Sequence, residues 1–170
     1  LIGSFKGKPF ALTHNGEFSN AISLRQYAEK EWGYVFQSTS DTEVLIPFIK
    51  HSEEADFKSA LLDVLRNKID GAFSLIILYD GKFYCVRDKC GFRPLAFGVG
   101  ENANMIASES SAFDVLNGQY VTDIEAAQMV IVGPSGIEEV VDWAERTRKS
   151  CIFEHIYFAN PDSYVERTNV

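Results

Sequence analysis

Residues 72–87 have the sequence AFSLIILYDGKFYCVR, and this stretch decides the fold class. Two apolar runs, 72–79 and 82–87, flank Asp80-Gly81, a pair that suits the tight turn of a β-hairpin because both residues tolerate positive φ. Apolar residues recur at helical spacing ahead of the hairpin, and further strand-like runs follow it. A block of helices before a block of hairpin-linked strands favours an α+β fold with an antiparallel sheet.

Helices are predicted in three segments before the hairpin. Ser23 can cap a helix that runs to about Lys30, and Gly33 suits its C-terminus. A second helix is expected after Ser40, because the offset from Ser40 to Glu43 matches a capping box. The other expected elements are a helix at 57–69, strands at 95–99, 104–108 and 129–132, and a short helix at 110–117.

The composition argues against several classes of protein. A formal net charge of -8 disfavours binding to phosphate backbones, so we expect no nucleic-acid partner. No apolar run approaches the roughly 18 residues of a membrane span, and the first residues lack the apolar core of a signal peptide. The three cysteines show no C-x-x-C pair, which predicts reduced thiols rather than a zinc site. We therefore expect a cytoplasmic protein without a membrane partner.

The segment Thr13-His14-Asn15-Gly16 is a candidate oxyanion hole. The apolar run 10–13 leads into it, which predicts a strand that ends in a tight turn. A carboxamide donor and a glycine N–H at the end of a strand are the groups that acyl transfer requires. From the residues alone, an ordinary Asn-Gly turn is the simpler interpretation.

Two charged segments are also open to more than one interpretation. Asp41, in the first turn of a predicted helix, can serve the helix dipole or bind a substrate ammonium group. The segment from Arg87 to Leu95 mixes charges with Gly and Pro, which indicates either a solvated loop or a buried Arg-carboxylate pair that fixes it. Cys90 lies in this segment without a local histidine, so we expect no catalytic role for it.

Taken in order, these motifs resemble the glutaminase domain of class II glutamine amidotransferases. The resemblance rests first on residues 11–20, ALTHNGEFSN, and residues 36–45, FQSTSDTEVL. Residues 151–163, CIFEHIYFANPDS, resemble the segment that leaves this domain in the amidophosphoribosyltransferase branch. Shorter matches lie between them, in the same order, at 71–74, 91–95, 107–110 and 112–115.

The resemblance implies an N-terminal nucleophile aminohydrolase fold, an αββα sandwich of two antiparallel sheets between helical layers. It assigns residues 1–150 to a partial glutaminase domain and residues 151–170 to a segment leading toward a phosphoribosyltransferase domain. The chain starts at Leu1 rather than methionine and stops at Val170 without a closing helix. Both ends resemble cuts, so we expect the fold to be incomplete.

The resemblance also implies a chemistry. In the family an N-terminal cysteine, with its own α-amino group as base, attacks the side-chain amide of glutamine to form a thioester. Glutamate and ammonia result. By resemblance, Asn15 and the Gly16 N–H form the oxyanion hole, Asp41 pairs with the α-ammonium group of glutamine, and His14 belongs to the same substrate site. The nucleophilic Cys and the Arg that grips the α-carboxylate belong to segments before Leu1, so we expect this fragment to be inactive alone.

The implied function is the supply of ammonia to 5-phosphoribosyl diphosphate, giving 5-phosphoribosylamine in the first step of purine synthesis. The alternatives are another class II amidotransferase with a different acceptor, and a catalytically dead domain with interaction or regulatory duties. The expected partners are glutamine, a phosphoribosyltransferase domain of the same chain and further copies in a homo-oligomer.

Two cofactors are implied for the parent enzyme, Mg²⁺ and, in some members, a four-iron, four-sulfur cluster. Cys151 matches a cysteine that ligates this cluster, but other members keep the cysteine without a cluster. We therefore expect no bound metal in this fragment. The sequence departs from the family at Asn160, where Arg is usual, and at Glu125-Ala126-Ala127-Gln128, where a Glu-Pro-Gly-Glu turn is usual. The first departure bears on coupling to the next domain, and the second on the shape of one turn.

Overall fold

The hairpin that decides the fold class forms as the sequence predicts. In the computed structural model, Asp80 and Gly81 adopt φ values of 51° and 77° and connect the strands Gly71–Tyr79 and Lys82–Arg87. The two strands pair antiparallel, with Tyr79 opposite Lys82. The structure describes residues 1–147, Lys149, and the two short paired strands Tyr164–Val165 and Thr168–Asn169.

Two antiparallel sheets are built around this hairpin. The six-stranded sheet contains, in spatial order, β1 (Ile2–Phe5), β2 (Lys8–Phe18), β3 (Gly71–Tyr79), β4 (Lys82–Arg87), β8 (Gln128–Gly133) and β9 (Gly136–Asp142). The three-stranded sheet contains β6 (Asn104–Ala107), β5 (Ala96–Val99) and β7 (Gln119–Asp123). The helices are α1 (Ala21–Trp32), α2 (Leu45–Lys50), α3 (Phe57–Asn67) and α4 (Ser111–Val115), and a 3₁₀ helix covers Asp41–Val44.

The core is divided between the two faces of the six-stranded sheet. On one face, Phe10 and Leu12 of β2 pack with Leu61 and Leu65 of α3 in a cluster that also includes α1 and α2. On the other face, a second cluster joins β4 and β8 to β5 of the three-stranded sheet. The short helix α4 contacts β6 and β7. The layers therefore follow the αββα order expected from the resemblance.

The turn predicted at His14-Asn15-Gly16 is wrong. β2 continues through these residues to Phe18, with Asn15 opposite Ser74 and Gly16 opposite Phe73. Gly16 has a φ of 133°, and a Cβ atom there would lie 2.1 Å from the carbonyl oxygen of Ala72. The glycine therefore allows the two strands to approach closely. In the sequence, such a glycine cannot be distinguished from a glycine in a turn.

The capping box predicted at Ser40 and Glu43 is also wrong. Ser40 makes no side-chain capping bond. Instead the Glu43 carboxylate accepts hydrogen bonds from the backbone N–H groups of Gln37 and Ser38, at 2.7 and 2.8 Å. Glu43 thus ties down the loop that precedes the 3₁₀ helix rather than the helix itself.

The first helix begins earlier than predicted and ends two residues later. α1 begins at Ala21, and the Ser23 hydroxyl, expected to cap the helix, donates to the Asn20 carbonyl instead. Gly33 adopts a left-handed φ of 59° at the C-terminus, as predicted. None of the helices in the described part of the chain is long and apolar enough to cross a membrane.

Within residues 1–147, three strands, β1, β7 and β9, were not expected from the sequence, and neither were the two short strands Tyr164–Val165 and Thr168–Asn169. β9 leads into Trp143, which is buried against Phe73 with ring centroids 6.3 Å apart. The indole N–H donates to the carbonyl of Arg87 at 3.0 Å. Trp143 therefore connects the segment after β9 to the last residue of β4.

Candidate functional site

The Asp41 carboxylate joins the start of the 3₁₀ helix to the end of β2. Its Oδ2 accepts a hydrogen bond from the backbone N–H of Phe18 at 2.8 Å, and its Oδ1 accepts from the backbone N–H of Thr42 at 2.7 Å. The side chain is still 26% exposed. The carboxylate is therefore fixed in orientation and open to a further partner.

His14 lies beside this carboxylate and is almost fully enclosed. Its side chain is 3% exposed and stacks on the ring of Phe18, with centroids 4.4 Å apart. Nδ1 lies 2.7 Å from the Thr42 hydroxyl and 3.7 Å from Oδ1 of Asp41. Burial lowers the pKa of His14, the positive charge of Arg93 adds to this effect, and the negative charge of Asp41 opposes it.

Thr42 is a member of the site that the sequence did not reveal. Its hydroxyl lies between His14 and Asp41, 28 residues from His14 in sequence. A threonine in the first turn of a helix carries no signal of such a contact. The backbone N–H of Phe18 was missed for the same reason, since only the tertiary fold places it against Asp41.

Asn15 and Gly16 form a second part of the site. Successive residues of a strand face opposite sides, so Asn15 points away from His14, toward the three-stranded sheet. A cavity of about 60 Å³ there is lined by Thr13, His14, Asn15, Ser74, Ile76, Leu95 and Ser108. In the described part of the chain the Asn15 carboxamide makes no side-chain hydrogen bond, so its N–H groups are available as donors.

The two parts of the site both lie near the C-terminal end of β2. Asn15 precedes Phe18 by three residues, which corresponds to about 10 Å along a strand. Asp41 contacts the backbone of Phe18 at the end of the strand and lies 3.7 Å from the His14 ring on the helical face of the sheet. The structure thus brings His14 and Asp41 into direct proximity, while the Asn15 side chain lies on the opposite face of β2.

The loop after β4 is fixed by buried charges, so the solvated-loop interpretation is wrong. Asp88 is fully buried, and its carboxylate accepts from the backbone N–H groups of Cys90, Gly91 and Phe92 at 2.8 to 3.0 Å. The buried guanidinium of Arg87 donates to backbone carbonyls, including that of Gly91 at 2.7 Å. This network holds the loop that carries Arg93 toward His14.

The two cysteines among the described residues differ in burial. Cys85 is buried between the two sheets, and burial raises the pKa of its thiol to about 12. Cys90 is half-buried. No group of three or more His, Cys, Asp and Glu residues suited to a metal ion occurs within the described part of the chain. Cys151 and Asn160 lie outside the described residues.

The turn at Glu125 to Gln128 closes despite its departure from the family pattern. The backbone N–H of Gln128 donates to the carbonyl of Glu125 at 3.2 Å. Ala127 adopts a positive φ of 56° at the position where the resembled family has glycine. The turn therefore forms with the altered sequence, although Ala127 adopts a backbone conformation that favours glycine.

Comparison with known proteins gives consistent matches over the whole chain. Residues 3–115 match the family described as "Glutamine amidotransferase domain". The amidophosphoribosyltransferase of Bacillus subtilis is 36% identical over 170 residues, which are 100% of this chain and 35% of that protein. The chloroplastic amidophosphoribosyltransferase of Glycine max is 36% identical over 166 residues, 97% of this chain and 29% of that protein. The chain thus spans about a third of the length of these relatives.

A solved structure shows the same architecture. The glutamine phosphoribosylpyrophosphate amidotransferase of B. subtilis, complexed with ADP and GMP, superposes with a TM-score of 0.91 at 34% sequence identity. The superposition covers 99% of this chain and 37% of that one. It confirms the predicted fold class. The family match includes His14, Asn15, Gly16 and Asp41, and it extends over more than half of the sequence. The chain therefore belongs to the glutamine amidotransferase domain family.

Proposed function

We propose that this chain is the glutaminase part of an amidophosphoribosyltransferase. In the intact protein it hydrolyses glutamine and supplies ammonia to 5-phosphoribosyl diphosphate, giving 5-phosphoribosylamine in the first step of purine synthesis. The observation that supports this most is the match to amidophosphoribosyltransferases along the whole chain, at 36% identity. The reaction at 5-phosphoribosyl diphosphate belongs to a phosphoribosyltransferase domain that follows Val170 in the parent chain.

Asn15 and Gly16 act as the oxyanion hole. Attack on the amide of glutamine places negative charge on the amide oxygen, and fixed N–H donors stabilise that charge. The free carboxamide of Asn15 and the backbone N–H of Gly16 belong to neighbouring residues of β2, which pair with Ser74 and Phe73 of β3. Because β3 fixes this part of β2, these donors require little reorganisation during the reaction.

Asp41 binds the α-ammonium group of the substrate. Free glutamine carries a positive charge at its α-nitrogen, and a partly exposed carboxylate offers a charge-assisted hydrogen bond to it. Two backbone N–H groups already orient the carboxylate, so its remaining lone pairs point in defined directions. In this proposal the C-terminal part of β2 serves both ends of the substrate, the amide through Asn15 and Gly16 and the amine through Asp41.

In this proposal neither Cys85 nor Cys90 supplies the nucleophile. Cys85 is excluded because a thiol with a pKa of about 12 has almost no thiolate at neutral pH. By the family resemblance, an N-terminal cysteine and the arginine that grips the α-carboxylate precede Leu1. The purified fragment of residues 1–170 should therefore release no glutamate from glutamine, and measurable release would contradict this assignment.

The decisive experiment compares two reactions of the intact protein. Asp41→Ala should raise the KM for glutamine by roughly 10- to 100-fold, because a charge-assisted bond to the substrate is lost. Synthesis of phosphoribosylamine from free ammonia should remain unchanged, since ammonia does not use the glutamine site. Asp114→Ala removes an equal charge from an exposed position and serves as the control. An equal loss of both activities in Asp41→Ala would make the residue structural.

A further inference from the structure

Three polar groups are connected in series between β2 and the 3₁₀ helix. Nδ1 of His14 lies 2.7 Å from the hydroxyl of Thr42, and this hydroxyl lies 3.3 Å from Oδ1 of Asp41. We propose that His14 and Thr42 are positioning residues that hold the Asp41 carboxylate in the orientation in which it receives the α-ammonium group of glutamine. The inference rests on the proposed role of Asp41.

The direction of the hydrogen bonds follows from what each group can donate. An ionised carboxylate only accepts, so the single hydrogen of the Thr42 hydroxyl is donated to Asp41. The hydroxyl oxygen must then accept from His14, which places a hydrogen on Nδ1. The chain of bonds therefore runs from the imidazole through the hydroxyl to the carboxylate.

The imidazole is neutral in this arrangement. Nε2 is buried and has no hydrogen-bond partner among the described residues. Protonation would bury a second N–H and a full charge without a partner, which costs more than leaving a lone pair unpaired. Burial lowers the pKa of His14 despite the opposing charge of Asp41, and this direction agrees with the neutral state.

The bonds account for most of the hydrogen-bonding capacity of the carboxylate. A carboxylate offers about four lone-pair sites. The N–H of Phe18 occupies one, and the N–H and hydroxyl of Thr42 account for two more. One site remains on a side chain that is partly exposed, which fits a single ammonium group from solvent.

Phe18 makes the assembly rigid. Its ring stacks on His14 with an interplanar angle of 11°, while its backbone N–H binds Asp41. The same residue therefore fixes the plane of the imidazole and one oxygen of the carboxylate. A shift of His14 would be transmitted to Asp41 through Thr42.

Matched variants of the intact protein test the proposal. Thr42→Val keeps the branched shape and removes the hydroxyl, whereas Thr42→Ser keeps the hydroxyl. His14→Phe keeps a ring for stacking and removes the donor, whereas His14→Asn places an N–H near the position of Nδ1. We expect Thr42→Val and His14→Phe to raise the KM for glutamine about tenfold with kcat changed less than about twofold. Thr42→Ser, which restores the hydroxyl, should recover most of the affinity lost in Thr42→Val, and His14→Asn, which keeps an N–H but loses the stacked ring, should give a KM below that of His14→Phe.

A substrate without the α-amino group separates positioning from general damage. In 4-carbamoylbutanoate the partner of Asp41 is missing, so Thr42→Val should not change kcat/KM for this compound. An equal loss with both substrates would overturn the proposal and indicate a structural role. If Asp41→Ala raises the KM for glutamine but neither Thr42→Val nor His14→Phe does, the positioning role of Thr42 and His14 is refuted and the proposed function stands. If Asp41→Ala leaves that KM unchanged, the proposed function itself fails.

Discussion

Gly16→Ala should destabilise the domain much more than Gly7→Ala, although both glycines have positive φ. At Gly16 the new Cβ would lie 2.1 Å from the carbonyl oxygen of Ala72 and 2.8 Å from Cα of Phe73. At Gly7, with a φ of 80°, no atom lies within 4 Å of the new Cβ. The two variants therefore share the backbone strain and differ in the clash with β3.

The size of each effect follows from these contacts. A side chain in a sparsely populated backbone region costs about 1–3 kcal/mol, and this applies to both variants. Forcing extra atoms into a packed region adds about 1–3 kcal/mol, and this applies to Gly16→Ala alone because Ala72 and Phe73 are held in the sheet. For a domain of this size, the additional loss corresponds to a melting temperature lower by roughly 2–12 °C.

Thermal unfolding of the intact protein, followed by circular dichroism, measures this difference. Hydrogen exchange in β2 and β3 provides a local check, because the clash should loosen the pairing of Gly16 with Phe73 first. Equal melting temperatures for Gly16→Ala and Gly7→Ala would refute the reasoning. In that case the approach of the strands would not be what requires glycine.

Three further predictions concern buried groups. Asp88→Asn should lower stability by about 2–4 kcal/mol, because an amide replaces a buried acceptor of several N–H groups, and an unchanged melting temperature would contradict this. At pH 8, iodoacetamide should modify Cys90 well before Cys85, because burial raises the pKa of Cys85 to about 12. Equal rates of modification, measured by mass spectrometry, would contradict the burial of Cys85. His14 has a folded pKa below its ordinary value of 6.5, so the unfolded chain binds more protons and stability falls as the pH drops through 6.5. The fall in melting temperature between pH 7 and pH 5 should therefore be smaller in His14→Phe than in the unmodified protein. An equal fall in both proteins would argue against a neutral buried imidazole.

The parts of the fold that were predictable are those with local causes. Asp80-Gly81 forms its tight turn and Gly33 ends its helix because each conformation depends on the residue itself. The hairpin strands and α3 were predictable as well, because the pattern of apolar residues along each segment is local. β7 and β9 were missed because they carry charged and polar residues between their apolar ones, without a clear alternation.

The candidate site shows the limit of the sequence more clearly. His14, Asn15, Gly16 and Asp41 entered through a family resemblance, and the residues alone left simpler interpretations open. Gly16 resembled a turn because a glycine within a sheet and a glycine in a turn carry the same sequence signal. The contact of Thr42 with His14 depends on how the 3₁₀ helix packs on β2, which no local pattern contains.

The position of Trp143 gives the domain a built-in optical probe. The chain contains two tryptophans, and Trp32 stacks on His51 in the helical layer, away from β4. Replacing Trp32 with phenylalanine would leave one indole, bonded to the carbonyl of Arg87 and next to the loop that carries Arg93. Its emission would then report on the packing of that loop, so the loss of this packing during unfolding could be followed without any added label.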